Sequence, residues 1–579
     1  MSFARLQSTD SLDNFADDGG HTSSVCRAAP IRAQPSGVIV EGGDQSISTA
    51  RHSEGDGEVS DEDMACDGDH ARSYRRFTKR HKRLQCGNNF ADGPSTPTEV
   101  HGWVSHALQS LAAAALMVNL VMKVSQGVTL STDWSGAGTA EQAAGMLLSS
   151  LTADQIGQGG IECFRACDVD PTSLSVLCNH RGPLAPRHVL PDILSRIDND
   201  TLEKLKHIEL KWRTCEDGKQ AAQMVHRIRA QRGLSMVHEM IEVLRAMPEP
   251  KVLTSHCLRH DDICPLDEYV KGRTRVWVAG HSCLDWSTMG NRMGWLGLGT
   301  TVLLVYIFHI LAALPEIVIE ECTQRFDISI WKMLLGDAYH IMVRTLCPTQ
   351  FGIPNERPRQ YSVSVLKSTH RVLVDFESPE FDQLFFRKLK SCATLFFQGS
   401  DAERDACIKR MAGGRKSTRT MSSRPTLQEV LPPGPLCRLQ GHHMMAEHDP
   451  CFADAPCLLA NISQNPGERF GLSQNIPVLL RESTYVMIKG PGITKGTAKI
   501  MIANEALAAM GWPVYQEDVH CALRDSFESL PEASKAQLAG NGMSVPVIGS
   551  VLMYALACTA PLDAGASAGS ARDTGTCVE

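Results

Sequence analysis

The stretch GVTLSTDWSGAGTAEQAAGML (residues 127–147) decides how the rest of the chain is read. A β-branched, apolar run leads into Gly136 and Gly138, and an alanine-rich helical segment follows at once. Strand, glycine turn and helix in that order form the opening unit of an α/β fold. The glycines permit a tight turn and leave room for a ligand at the first amides of the helix.

Working outward, further runs of strand character occur at CFRACDVD (163–170), TRVWVAGHS (274–282), EIVIEE (316–321) and RQYSVSVL (359–366), alternating with apolar helical stretches. This alternation predicts βαβ units, hence a doubly wound, mostly parallel, Rossmann-like sheet. Ligands of such sheets bind beyond the carboxyl ends of the strands, so the functional residues should follow the strands directly. Asp168 and Asp170 close the second run, where a carboxylate can accept from ribose hydroxyls, and Asp192 in LPDILS follows a possible third strand. Together with the glycine turn they point to an adenosine-containing cofactor.

A chain of 579 residues allows one large α/β domain with insertions, or two domains plus tails. Its net charge of −8 excludes a protein that coats nucleic acid uniformly; phosphate binding here must be local. The twenty cysteines are scattered and no secretory signal precedes them, which predicts reduced thiols in nucleus or cytosol. Residues 1–98 are rich in Ser, Asp and Gly and read as a disordered tail, with a basic run RSYRRFTKRHKR (72–83) suited to nuclear import or phosphate contact. Two apolar stretches, 108–121 and 297–319, approach membrane-span character. The second carries His309, Pro315 and Glu316, and is expected to be a buried helix followed by a buried strand, with no membrane partner.

In VWVAGHSCLDWSTMG (276–290) a strand delivers Cys283 into a polar loop beside Ser282 and Ser287, where a thiol can act as a nucleophile. EIVIEE presents Glu320, and FGIPNERPRQYSV presents Arg357 and Arg359, whose spacing on a strand would aim both at one face. Residues 366–475 read as an irregular, locally basic insert with Lys409, Arg410, Arg415, Lys416, Arg419 and Arg424. Residues 476–562 return to ordered sequence, and 563–579 form a polar tail. HCLRHDDIC (256–264) and CRLQGHHMMAEHDPC (437–451) gather Cys and His without the paired short spacings of a zinc site, so no metal is expected.

Taken in order over most of residues 125–560, these segments resemble the cytosine-5 DNA methyltransferase family. GHSCLDWS is similar to its nucleophile motif Gly-Pro-Pro-Cys-Gln, EEC (320–322) to Glu-Asn-Val, GIPNERPR to Gly-Ile/Val-Pro-Gln-x-Arg-x-Arg, and GNGMSVPVIGSV to the late motif beside the cofactor. RESTYVMI with ANEALAAMGWP resembles the segment preceding that motif. The resemblance implies a catalytic domain over 99–365 and 476–562, with 366–475 as target-recognition region. It implies S-adenosylmethionine held by Trp134, Gly136, Gly138, Asp168, Asp192, Asn541, Ser544 and Val545. The catalytic set would be Cys283, Glu320, Arg357 and Arg359, with Ser287, Lys409, Arg410, Arg415 and Lys416 on nucleic acid. The expected partner is double-stranded DNA, with tRNA as the alternative suggested by Asn355; the expected state is a monomer acting in the nucleus or, alternatively, the cytoplasm. His281, Ser282, Leu284, Glu321, Cys322 and Thr132 depart from the family pattern. A catalytically silent binding relative is the third reading.

Overall fold

The computed structural model describes residues 90–213, 226–247, 254–287, 290–413, 425–466, 471–494, 496–521 and 523–562. Seven strands form the central sheet: β1 Val128–Asp133, β2 Ile161–Cys167, β3 His188–Leu190, β4 Thr274–Ala279, β5 Ile317–Thr323, β6 Tyr339–Leu346 and β7 Arg359–Leu366. Their order is β3-β2-β1-β4-β5-β7-β6. The pairs from β3 to β5 are parallel, and β7 runs antiparallel to both neighbours. All six residues of β1 are buried, as required of a parallel strand covered on both faces. The expected doubly wound α/β sheet is therefore present.

Pleating separates two cores. Val276 and Val278 of β4, Ile319 of β5 and Val363 of β7 join an apolar cluster with Leu111, Leu120, Leu147 and Val551 of the helices Trp103–Ala113, Met117–Gln126, Thr139–Ser149 and Val545–Ala557. Trp277 and Val318 face the opposite way, with Leu205, Met240 and Tyr306 of the helices Asn199–Arg213, His226–Arg245 and Gly299–Ala313. Helix Val545–Ala557 approaches Trp103 so closely that a Cβ at Gly549 would lie 2.0 Å from the indole, so only glycine fits.

The apolar stretch 297–319 folds as helix Gly299–Ala313 and then β5, parallel to β4, as its interruptions predict. Among the described residues one helical stretch, Glu532–Ala557, has the length and apolarity of a membrane span, and 83% of its most apolar window is buried inside the fold.

Two expected boundaries shift. Residues 90–98, read as the end of a disordered tail, join the fold: Ala91–Asp92 pairs with Arg387–Lys388, and a Cβ at Gly93 would lie 2.4 Å from the Lys388 carbonyl oxygen. The rest of the tail, its basic run, Arg415, Lys416, Arg419, Arg424 and the tail after 562 lie outside the described residues. The insert is not irregular throughout. Strands Leu458–Asn461, Leu472–Ser473, Tyr485–Lys489 and Lys499–Ile500 form an antiparallel sheet over Leu427, Val430, Leu439 and Ile462. The boundary expected at 475 falls inside this sheet, because the alternation in RESTYVMI pairs Tyr485–Lys489 with Leu458–Asn461. At the other end His370–Val372, read as insert, pairs with Thr559–Pro561 beside the central sheet.

Candidate active site

The site lies where the strand order reverses, between β1 and β4, the crevice such sheets offer to ligands. After β1, Trp134 (φ 51°), Gly136 (φ 57°) and Gly138 (φ 82°) turn the chain through left-handed conformations into helix Thr139–Ser149. The Trp134 ring packs edge-on against Tyr306, with centroids 5.3 Å apart. After β2, Asp168 accepts from the Gly136 amide at 2.8 Å and from the Asp170 amide at 2.8 Å, while Asp170 caps helix Pro171–Asn179 through the Ser173 amide. After β3, Asp192 accepts from the Leu194 amide at 2.9 Å. The glycine turn, Asp168 with Asp170, and Asp192, which the sequence offers to a cofactor, thus follow three adjacent strands on one side of the crevice.

This floor has supports that motif reading missed. Asp133 is fully buried between Arg165, at 2.7 Å, and Arg196. Burial opposes its charge, but the two guanidiniums overcome this and hold the carboxyl well below the usual carboxylate range. Thr132 donates to Glu141 Oε1 at 2.5 Å, and burial pushes Glu141 up to about 7. The signal for Glu141 was an acidic residue amid the alanines of TAEQAAGML, which the glycine motif drew attention away from.

The loop carrying Cys283 follows β4. The Cys283 carbonyl accepts from the Trp286 and Ser287 amides at 3.0 and 2.8 Å, so residues 283–287 form a single helical turn. Asp285, buried, caps the next helix through the Gly299 amide at 3.0 Å. Cys283 is half-buried; Leu284, at the turn's outer side, is 59% exposed. His281 is buried against Phe326, with centroids 4.5 Å apart, and neither ring nitrogen makes a hydrogen bond.

The two carboxylates of EEC part company, since successive strand residues face opposite sides. Glu320 is fully buried beside Ser362, which donates to its Oε2 at 3.1 Å. Its Oε1 lies 2.9 Å from His281 Nδ1 without the alignment of a hydrogen bond. Glu321 instead faces Arg359, 3.2 Å from its Nε. A Cβ at Gly280 would lie 3.6 Å from Glu321 Oε2, so this carboxylate stands beside the loop of Cys283. Burial raises its pKa against the pull of Arg359 and Arg357. Structure thus groups Glu321, rather than the Glu320 chosen from sequence, with Arg359.

The two arginines also differ. Arg357 precedes β7 rather than lying on it, so strand spacing does not apply. It donates to the Gly540 and Gly542 carbonyls at 3.0 and 2.8 Å and anchors the GNG turn. Burial, then Arg359, pushes it down to about 10. Beyond that turn Asn541 is exposed, Val545 is buried with its amide on the Met510 carbonyl at 2.8 Å, and the buried Ser544 hydroxyl has no partner. Met543 closes on Gly280, whose Cβ would sit 2.7 Å from its methyl. Asn355 is fully buried and donates to the Ala509 carbonyl at 2.8 Å, so it supports a helix end. Lys409 and Arg410 are exposed on helix Asp401–Gly413, Arg410 lying 3.7 Å from Glu532.

Sheet order, strand directions and loops gathered past the carboxyl ends define a doubly wound, Rossmann-like α/β domain carrying a smaller inserted sheet. No family profile matches the chain, and no curated protein sequence matches it. Among solved structures it is similar to the methyltransferase EhMeth of Entamoeba histolytica, at 11% identity and TM-score 0.38. It is also similar to the Dnmt2 methyltransferase of S. pombe, at 13% identity and TM-score 0.31, and to a DNA modification methyltransferase encoded in an E. coli prophage, at 12% and 0.36. Each comparison covers 74% of this chain and 98% of the other.

Proposed function

We propose that the chain is a divergent cytosine-5 methyltransferase that uses S-adenosylmethionine and acts on duplex DNA in the nucleus. The observation carrying this reading is the convergence of Glu321 on β5, Arg359 at the start of β7 and the Arg357-anchored GNG turn on the loop that carries Cys283 after β4. These are the groups this chemistry requires, in the chain order the resemblance implies.

The residues present fit the cofactor. Left-handed Gly136 and Gly138 open the turn, Asp168 keeps acceptor capacity beyond its two amide bonds, and the Ser544 hydroxyl is buried with nothing to bond. With Trp134, Asp192, Asn541 and Val545 these would hold S-adenosylmethionine, which when bound supplies an electrophilic methyl group for C5. Cytosine C5 is a poor nucleophile, so the Cys283 thiolate adds first to C6. Glu321, whose carboxyl pKa burial raises, holds a proton at N3 and accepts from the exocyclic amine, drawing electron density through the ring. Arg359 orients that carboxyl and stabilises charge on the base. Once C5 carries the methyl group, its proton passes to solvent water, and the electron pair left behind restores the C5–C6 double bond and expels Cys283 as thiolate. A base stacked in a duplex cannot reach this thiol and must be flipped out, and exposed Leu284 gives the loop an apolar tip able to fill the gap. Exposed Lys409 and Arg410 supply phosphate contacts that position the duplex. Asn355, spent on Ala509, is no argument for RNA.

The test incubates the protein with radiolabelled S-adenosylmethionine and either duplex DNA or tRNA, beside Cys283→Ser. Label in DNA that Cys283→Ser abolishes is the expected result; label confined to tRNA reassigns the substrate. Cofactor binding with no label in either would make the chain a silent relative. A 5-fluorocytosine duplex should trap the wild type, and not the variant, as a covalent complex.

A further inference from the structure

Outside the crevice, one cluster has the chemistry of a metal site. Strands Thr254–Cys257 and Asp262–Pro265 form a hairpin in which Ser255 stands opposite Cys264, so Cys257 and Cys264 share a face. His260 lies in the turn between them, completing Cys-x2-His-x3-Cys. The Leu258 amide donates to the Val189 carbonyl at 2.8 Å and ties the hairpin to β3, which brings in His188. One ligand atom from each of His188, Cys257, His260 and Cys264 lies within 4.8 Å of all the others.

The distances suit a tetrahedral ion. His260 Nδ1 is 3.6 Å from Cys257 Sγ and 3.3 Å from Cys264 Sγ. Around zinc, with bonds of about 2.0–2.3 Å, neighbouring ligand atoms stand roughly 3.3–3.8 Å apart. His188 is buried, yet neither of its ring nitrogens has a hydrogen-bond partner, an arrangement that is costly unless something else takes the lone pair. Two thiols and two imidazoles form a donor set that zinc prefers. The Val189 amide donates to Cys257 Sγ at 3.4 Å, an outer contact that steadies a thiolate ligand.

We propose that His188, Cys257, His260 and Cys264 bind one Zn2+ in a closed, structural site. This corrects the expectation of no metal drawn from HCLRHDDIC: three ligands stand in that stretch, and the fourth comes from β3, invisible to any local spacing. The ion clips the hairpin to the edge strand preceding Asp192, while the far end of the hairpin leads into β4. Four protein ligands leave no open position for catalysis.

Zinc measured by mass spectrometry in the full chain, purified without chelators, should be about one ion per chain. Cys264→Ser and His188→Gln should each fall below about a tenth of that content. His256→Gln, altering an exposed neighbour paired with Asp261, should retain it. Should the ligand variants fail to fold, Co2+ exchanged into the wild type should show thiolate charge-transfer bands and the intense d–d bands of a tetrahedral site. Wild-type protein without stoichiometric zinc, a cobalt spectrum lacking thiolate bands, equal zinc loss in His256→Gln, or a Cys257–Cys264 disulfide on peptide mapping would each overturn the proposal.

Discussion

The two sides of the crevice are built differently. On the β1–β3 side the acidic groups have settled partners: Asp133 lies between two guanidiniums, and Asp168 and Asp192 accept main-chain amides. On the β4–β7 side burial works against the ionisable groups even where they have partners. His281 bonds through neither nitrogen, burial raises the pKa of Glu321, and Arg357 is pushed down to about 10. A settled floor suits a ligand bound the same way in each cycle. Groups whose charge burial opposes suit chemistry in which charge must move, and such perturbation gathers at functional sites.

The contrast can be broken at the settled side first. Asp133→Asn should cost about 3–5 kcal/mol in denaturant unfolding, because Arg165 and Arg196 would remain buried without their counter-charge. A loss under about 1 kcal/mol would mean the floor is not held by charge at all. On the β4–β7 side, Glu321→Gln should lower methyl transfer by about 10²–10³-fold, as loss of a group acting on the reacting base does. Glu320→Gln, which keeps a carbonyl for Ser362, should stay within about tenfold; the opposite ranking in a steady-state assay would return the role to Glu320.

The smallest effect tests the exception on the settled side. Glu141 has a folded pKa of about 7 against an ordinary 4.5. The folded protein therefore holds an extra proton between those values, and stability falls as pH rises through that window. Glu141→Gln should flatten this slope and add up to about 3 kcal/mol near pH 8, with little change near pH 4. Urea unfolding at both pH values measures it. An unchanged slope would show that Thr132 stabilises the charged form instead.

Much of the fold was legible because buried parallel strands advertise themselves as apolar runs punctuated by functional turns. GVTLSTDW, CFRACDVD, TRVWVAGHS and EIVIEE each became a strand of the central sheet. What stayed hidden depended on partners distant in sequence. Nothing in EIVIEE says which carboxylate meets Arg359; sheet register decides it, and a one-residue slip exchanges the faces. Arg357 and Arg359 look equivalent at i, i+2 until the strand is seen to begin between them. RESTYVMI was read as returning to the catalytic domain because its alternation would serve any antiparallel sheet. His188 offered no signal by itself.

The GNG turn and the helix after it bear on how the protein is made. Helix Val545–Ala557 packs among helices formed by residues 103–149, and Arg357 grips the carbonyls of 540 and 542. During synthesis the Cys283 loop and the glycine turn thus leave the ribosome hundreds of residues before the segment that completes their surroundings. Through that interval the sheet face reserved for this helix must wait uncovered, the circumstance in which nascent α/β chains depend on chaperones.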